Sequence, residues 1–88
     1  MDGLFILKSL SDETRLEIVR FLLAGKKNAT KIVQHIKKSQ PNTSLALKQL
    51  TLSGILSQEK QGREIYYFVT KPNEIVQLMN VIEDLEKR

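Results

Sequence analysis

TKIVQHI (30–36), KKSQ (37–40), PNTSLALKQLTLSGIL (41–56) and SQEKQGREIYYFV (57–69) are the segments that decide the fold. Ile32, Val33 and Ile36 stand at helical spacing, and the polar KKSQ interrupts them. Pro41 suits the first turn of a new helix, with Ser39 or Gln40 as its cap. Thr43, Ala46, Leu47 and Leu50 fall on one side of that helix, and Gly54 suits a left-handed exit. Ile55 to Lys60 and Glu64 to Val69 then read as two strands joined through Gln61-Gly62-Arg63, the second rich in β-branched and aromatic residues. Helix, tight turn, helix and hairpin make the outline of a winged helix-turn-helix.

Charge follows this outline. From Lys26 to Arg63 eight basic residues meet one acid, Glu59, whereas the rest of the chain is net acidic and the whole carries +4. A basic middle of this kind points to a polyanion such as double-stranded DNA. In such modules the second helix, here about 40–53, enters the major groove, and the wing, about 56–69, lies on the flanking backbone or minor groove.

Working outward, the segment Leu4 to Ser9 reads as a short apolar helix. Ser11 suits the N-cap of the next, with Asp12 and Glu13 in its first turn, Leu16, Val19, Phe21, Leu22 and Leu23 on its buried side, and Gly25 as its stop. Pro72 starts a last helix whose Ile75, Leu78, Met79, Ile82 and Leu85 form a near-heptad stripe. The reading is mainly α with a small β-hairpin, about five helices plus a two-stranded wing, in a single domain spanning 1–88. A domain this small buries only about 60 to 65 per cent of its unfolded surface. The last stripe, with Leu4 and Phe5, is therefore assigned to homodimerisation. With no cysteine in the chain, disulfides and thiolate ligands are excluded. Leu4 to Leu7 is too short for a membrane span or signal core, so the expected address is the cytoplasm, with no membrane partner.

Gln40, Asn42, Thr43, Ser44, Leu45, Lys48 and Gln49 are the candidates on the recognition helix. Asn and Gln can pair twice with adenine, Lys can reach guanine or a phosphate, and an outward leucine can touch a thymine methyl or a protein surface. Lys37, Lys38, Ser39, Lys60, Gln61 and Arg63 are candidates for the backbone. His35, the only histidine, stands at a helix end and is read as a polar surface residue rather than a ligand. Tyr66 and Tyr67 face opposite sides of a strand, which puts one on the core and the other toward solvent, the wing groove or a partner subunit, with core packing the default assignment for both. No nucleophile with a base, paired carboxylates or phosphate-cradling glycine loop stands in the chain, so the reading is not an enzyme and needs no cofactor.

LSDETRLEIVRFLLAG, SQPNTSLALKQLTLSGIL and GREIYYFV together resemble the ArsR/SmtB-type winged-helix transcriptional repressors over roughly Leu4 to Val69. The D-x-T-R-L opening of the second helix, the L-x-x-L-x-x-x-G close of the recognition helix and the G-R-x-x-Y-Y wing carry the likeness. It implies a homodimer held by its first and last helices, with recognition helices set for successive major grooves about 34 Å apart on an inverted repeat. The family's metal sensors carry a cysteine pair where this chain has Asn28 and Thr30. Its other common metal site needs histidines on the last helix, which has none. The resemblance thus implies DNA binding without a metal effector, and names no other effector. The family's frequent histidine in the recognition helix is Ala46 here, beside Leu45, so base preference does not carry over.

The expected function is sequence-specific transcriptional regulation, by repression. Two alternatives stay open: a winged-helix protein-interaction module working through Leu45, Leu52 and the last helix, or a nonspecific architectural DNA-binding protein.

Overall fold

The computed structural model describes residues 3–87, so the domain limits at 1 and 88 lie outside the described residues. In chain order the elements are α1 (Gly3–Leu10), α2 (Glu13–Leu22), β1 (Lys27–Asn28), α3 (Ala29–Ile36), α4 (Gln40–Leu52), β2 (Leu56–Gln61), β3 (Glu64–Val69) and α5 (Pro72–Glu86). The five helices and the hairpin of the sequence reading are all present. The sheet has a third strand that reading lacks, because β1 pairs antiparallel to β3 in the order β1-β3-β2, with Lys27 opposite Tyr67 and Asn28 opposite Tyr66. Two residues give no alternation to detect, and Lys27-Asn28 has no β-branched residue to signal it.

Caps fix the helix starts. The N-cap of α2 is Asp12, whose carboxylate accepts from the Arg15 N–H at 3.0 Å. Ser11, expected there, instead donates its hydroxyl to the Lys8 carbonyl at 2.6 Å and closes the end of α1. Asn28 caps α3 by accepting from Lys31 N–H, and Ser39 caps α4 by accepting from Asn42 N–H, so of Ser39 and Gln40 the serine is the cap. α3 ends at Lys37 with φ 58°, a left-handed cap without a glycine, and the chain swings at once into Ser39 and α4. At the end of α4, Gly54 takes φ 84°.

The core is built where these elements converge. Ile18, Val19 and Leu22 of α2, Ile32 and Ile36 of α3, and Ala46, Leu47 and Leu50 of α4 pack on Ile55, Leu56 and Val69 at the base of the hairpin. Ile75 and Met79 of α5 also lie in this cluster, each 5% exposed. Their assignment to the dimer stripe is corrected: the first two turns of α5 are held by the chain's own core. Leu78 is half-buried against it and Ile82 is half-buried, while Leu85 is exposed. Tyr67 packs on the core, but Tyr66 does not. Its ring lies 5.7 Å from Lys26 Nζ and its hydroxyl 3.2 Å from Glu64 Oε2, so its place is the outer face of the sheet. Among the described residues no helix is long and apolar enough to cross a membrane.

Candidate nucleic-acid interface

Helix α4 divides cleanly into two sides. Thr43, Ala46, Leu47 and Leu50 are buried, whereas Gln40, Asn42, Ser44, Leu45, Lys48, Gln49 and Leu52 are exposed. Six of the seven recognition-helix candidates therefore share the open side. Thr43 does not: it is fully buried, and its Oγ1 has no hydrogen-bond partner. Its place among the binding candidates is corrected, because position 43 shares the apolar side with Ala46, Leu47 and Leu50, three, four and seven residues on. Gln49 is exposed but engaged, accepting from Arg15 Nη1 through Oε1 at 2.7 Å.

The wing shows the same division across its two faces. Antiparallel register places Gln58 opposite Tyr67 and Lys60 opposite Ile65 on one face, continuous with the core residues Leu56 and Val69. The other face carries Glu59 opposite Tyr66 and Gln61 opposite Glu64. Ser44, Lys48, Thr51 and Leu52 of α4 join Gln58 and Tyr67 of the wing in lining one cleft, so the first face is the one turned toward the recognition helix. Both wing acids stand on the far face and are held there. Lys26 Nζ reaches Glu59 at 2.6 Å, and Asn28 Nδ2 and the Tyr66 hydroxyl each lie 3.2 Å from Glu64. The hairpin closes through Gly62 at φ 64°, followed by Arg63. Gln61 is already in β2, so the loop is two residues rather than three, with glycine at the position that a II′ turn requires.

Lys37 and Lys38 stand exposed between α3 and α4, Lys48 on α4, and Lys60 and Arg63 at the wing tip. None of these five cations has an ion-pair partner among the described residues, where the pairs are Arg20 with Glu83 and Lys26 with Glu59. α3, α4 and the turn between them contain no acid. The result is a cationic ridge from the helix-turn-helix to the hairpin tip, with amide, hydroxyl and leucine side chains along its middle. Such a surface suits backbone neutralisation at its ends and base-edge contacts at its centre.

His35 lies against the ring of Phe21, stacked at 3.8 Å between centroids and 4° between planes. It is an exposed residue that covers an aromatic. Asn28, at one of the positions where the resembled metal sensors have cysteine, has Oδ1 in the α3 cap and Nδ2 on Glu64. The contact that sequence reasoning missed is that of Arg15, which looked like part of a helix opening and in fact reaches α4 thirty-four residues on.

Comparison with known proteins agrees with this geometry. Residues 12–58 match the family of bacterial regulatory proteins known as the arsR family. The arsenical resistance operon repressor of Staphylococcus aureus is 33% identical over 85 residues, covering 94% of this chain and 82% of that protein. A probable mercury resistance operon repressor of Streptomyces lividans is 34% identical over 65 residues, and the match spans 74% of this chain but only 52% of that relative's length. Among solved structures, the homodimeric winged helix-turn-helix DNA-binding domain from Mycobacterium bovis superposes with a TM-score of 0.81 at 22% identity, covering 91% of this chain and 76% of that one. The fold is that of a winged-helix DNA-binding domain, and its relatives are regulators rather than enzymes. The chain belongs to the ArsR family of DNA-binding transcriptional repressors.

Proposed function

We propose that this chain is a homodimeric repressor acting in the cytoplasm, a single DNA-binding domain over 1–88 that occludes a promoter by binding an inverted repeat. α4 enters the major groove with Gln40, Asn42, Ser44, Leu45 and Lys48 toward the bases. Lys37, Lys38 and Ser39, with Lys60, Gln61 and Arg63 of the wing, lie toward the backbone. The observation that carries this reading is the sorting of charge about α4: five unpaired cations on the ridge, and both wing acids turned to the opposite face.

Dimerisation is supported by apolar surface that the chain leaves uncovered at its ends. Leu4, Phe5 and Leu7 of α1, and Val76, Val81 and Leu85 of α5, are all exposed. Two helices with such faces bury them on a second copy, as the two-fold symmetry of an inverted repeat requires. The M. bovis neighbour is a homodimer, which agrees. Metal control is not part of the reading, since Asn28 and Thr30 offer no thiolate and the chain has no cysteine.

Exposed Leu45 and Leu52 favour one second reading, a protein-interaction module on the same scaffold. Selection of bound duplexes from a random pool of about 30 base pairs separates the readings. Enrichment of an inverted repeat with half-sites about one helical turn apart is expected. Retention without enrichment is the outcome of an architectural protein, and no retention at all that of an interaction module.

A further inference from the structure

Arg15 stands in the first turns of α2, and its guanidinium donates to three acceptors on two other elements. Nε reaches the Ser9 carbonyl at 2.6 Å and Nη2 the Lys8 carbonyl at 3.1 Å. Nη1 reaches Gln49 Oε1 at 2.7 Å. The first two acceptors lie at the C-terminal end of α1, where carbonyls have no partner within the helix and the dipole favours a cation. The third lies on the open side of α4. One planar side chain thus ties α1, which exposes Leu4, Phe5 and Leu7, to the recognition helix.

For Gln49 to read an adenine it needs both its carbonyl oxygen and its amide nitrogen. The oxygen already accepts a charge-assisted bond, roughly twice as strong as a neutral one. We infer that Arg15 is a positioning residue that fixes the recognition helix to α1, and that Gln49 is the point it holds rather than a base reader. The inference rests on α4 entering the groove as proposed above. Its consequence is that packing on α1 by a second copy is felt at α4 through this guanidinium as well as through the core that Leu10 shares with α4. Lysine cannot substitute, since a point charge on a flexible stem has no fork to span two helices.

The test measures affinity for the selected operator, and for each single-base-pair change in one half-site, with the wild type, Arg15→Lys, Gln49→Ala and the double variant, alongside their thermal unfolding. Without the fork, the placement of α4 that fits the groove is only a fraction of those available, and each single variant is expected to lose affinity by that fraction, roughly tenfold. That factor should be the same on every duplex, and the double variant should lose no more than the weaker single. Relaxed discrimination at one base pair in Gln49→Ala makes Gln49 a base reader and overturns the inference. Additive losses overturn it too, because the side chains then act independently. If Arg15→Lys fails to fold, the specificity profile of Gln49→Ala alone decides. A wild type that recovers no operator fails at the earlier step, and removes the DNA reading and this inference together.

Discussion

Helices α4 and α5 are similar in length, thirteen and fifteen residues, and divide their surfaces in opposite ways. α4 buries four residues along its whole length and turns amides, hydroxyls and Lys48 outward, with no acid. α5 buries Ile75 and Met79 in its first half and leaves Val81 and Leu85 in the open in its second, amid Glu83, Asp84 and Glu86. One helix fills its buried side within the chain and presents a mostly polar, acid-free side on which Leu45 and Leu52 are the apolar residues. The other has apolar surface to spare and a charge that DNA repels. On the reading proposed above, the difference sends them in opposite directions: α4 toward a polyanion, α5 away from it and toward a second copy.

The hardest blow to that comparison is a charge on the open apolar side of α5. Val81→Glu leaves the core cluster untouched, since Val81 is 56% exposed, and monomer folding is expected to change by less than about 0.5 kcal/mol. Burying an unpaired carboxylate in a dimer interface costs several kcal/mol, so the dimer dissociation constant is expected to rise at least a hundredfold. Sedimentation across a dilution series reads it directly. An unchanged dimer constant removes α5 from the interface.

A second change works on the other side. Lys60→Ala and Arg63→Ala each remove one ridge cation per subunit, two per homodimer, and each is expected to lower the magnitude of the log-log salt slope of DNA binding by about 1.8 while leaving base discrimination unchanged. Removing Glu59 from the far face by Glu59→Gln should leave that slope where it was. A slope that responds equally to all three variants means the two faces of the wing are not distinguished by DNA.

Much of this division was legible in the sequence because period and punctuation are strong signals. The two helices, the Ser39-Pro41 start and the Gly62 turn followed from residues whose local physics leaves few alternatives. What failed to show was tertiary. β1 is two residues with no pattern, and its strand character comes entirely from pairing with Tyr66 and Tyr67. Ile75 and Met79 belong to a stripe that periodicity sees as one face, although the chain's own core takes its first two turns and leaves the rest. Arg15 meeting Gln49 is a contact across thirty-four residues, which no local pattern encodes. The ridge cations were visible as composition, but that the wing acids face away could be known only from register.

The smallest expected effect is the most telling about how α4 is held. Spacing puts Thr43 on the packed side and residue type makes it a candidate for DNA, and burial decides for packing, with the hydroxyl unpartnered. A buried hydroxyl without a hydrogen bond costs roughly 1 to 3 kcal/mol, and valine has nearly the same shape. Thr43→Val should therefore raise stability by about 1 kcal/mol in a denaturant melt, with operator affinity and specificity unchanged. Were operator affinity to fall with Thr43→Val while stability rose, the buried side of α4 would be sensing DNA after all. The clean partition between a packed face and a reading face, on which the contrast with α5 depends, would then have to be given up.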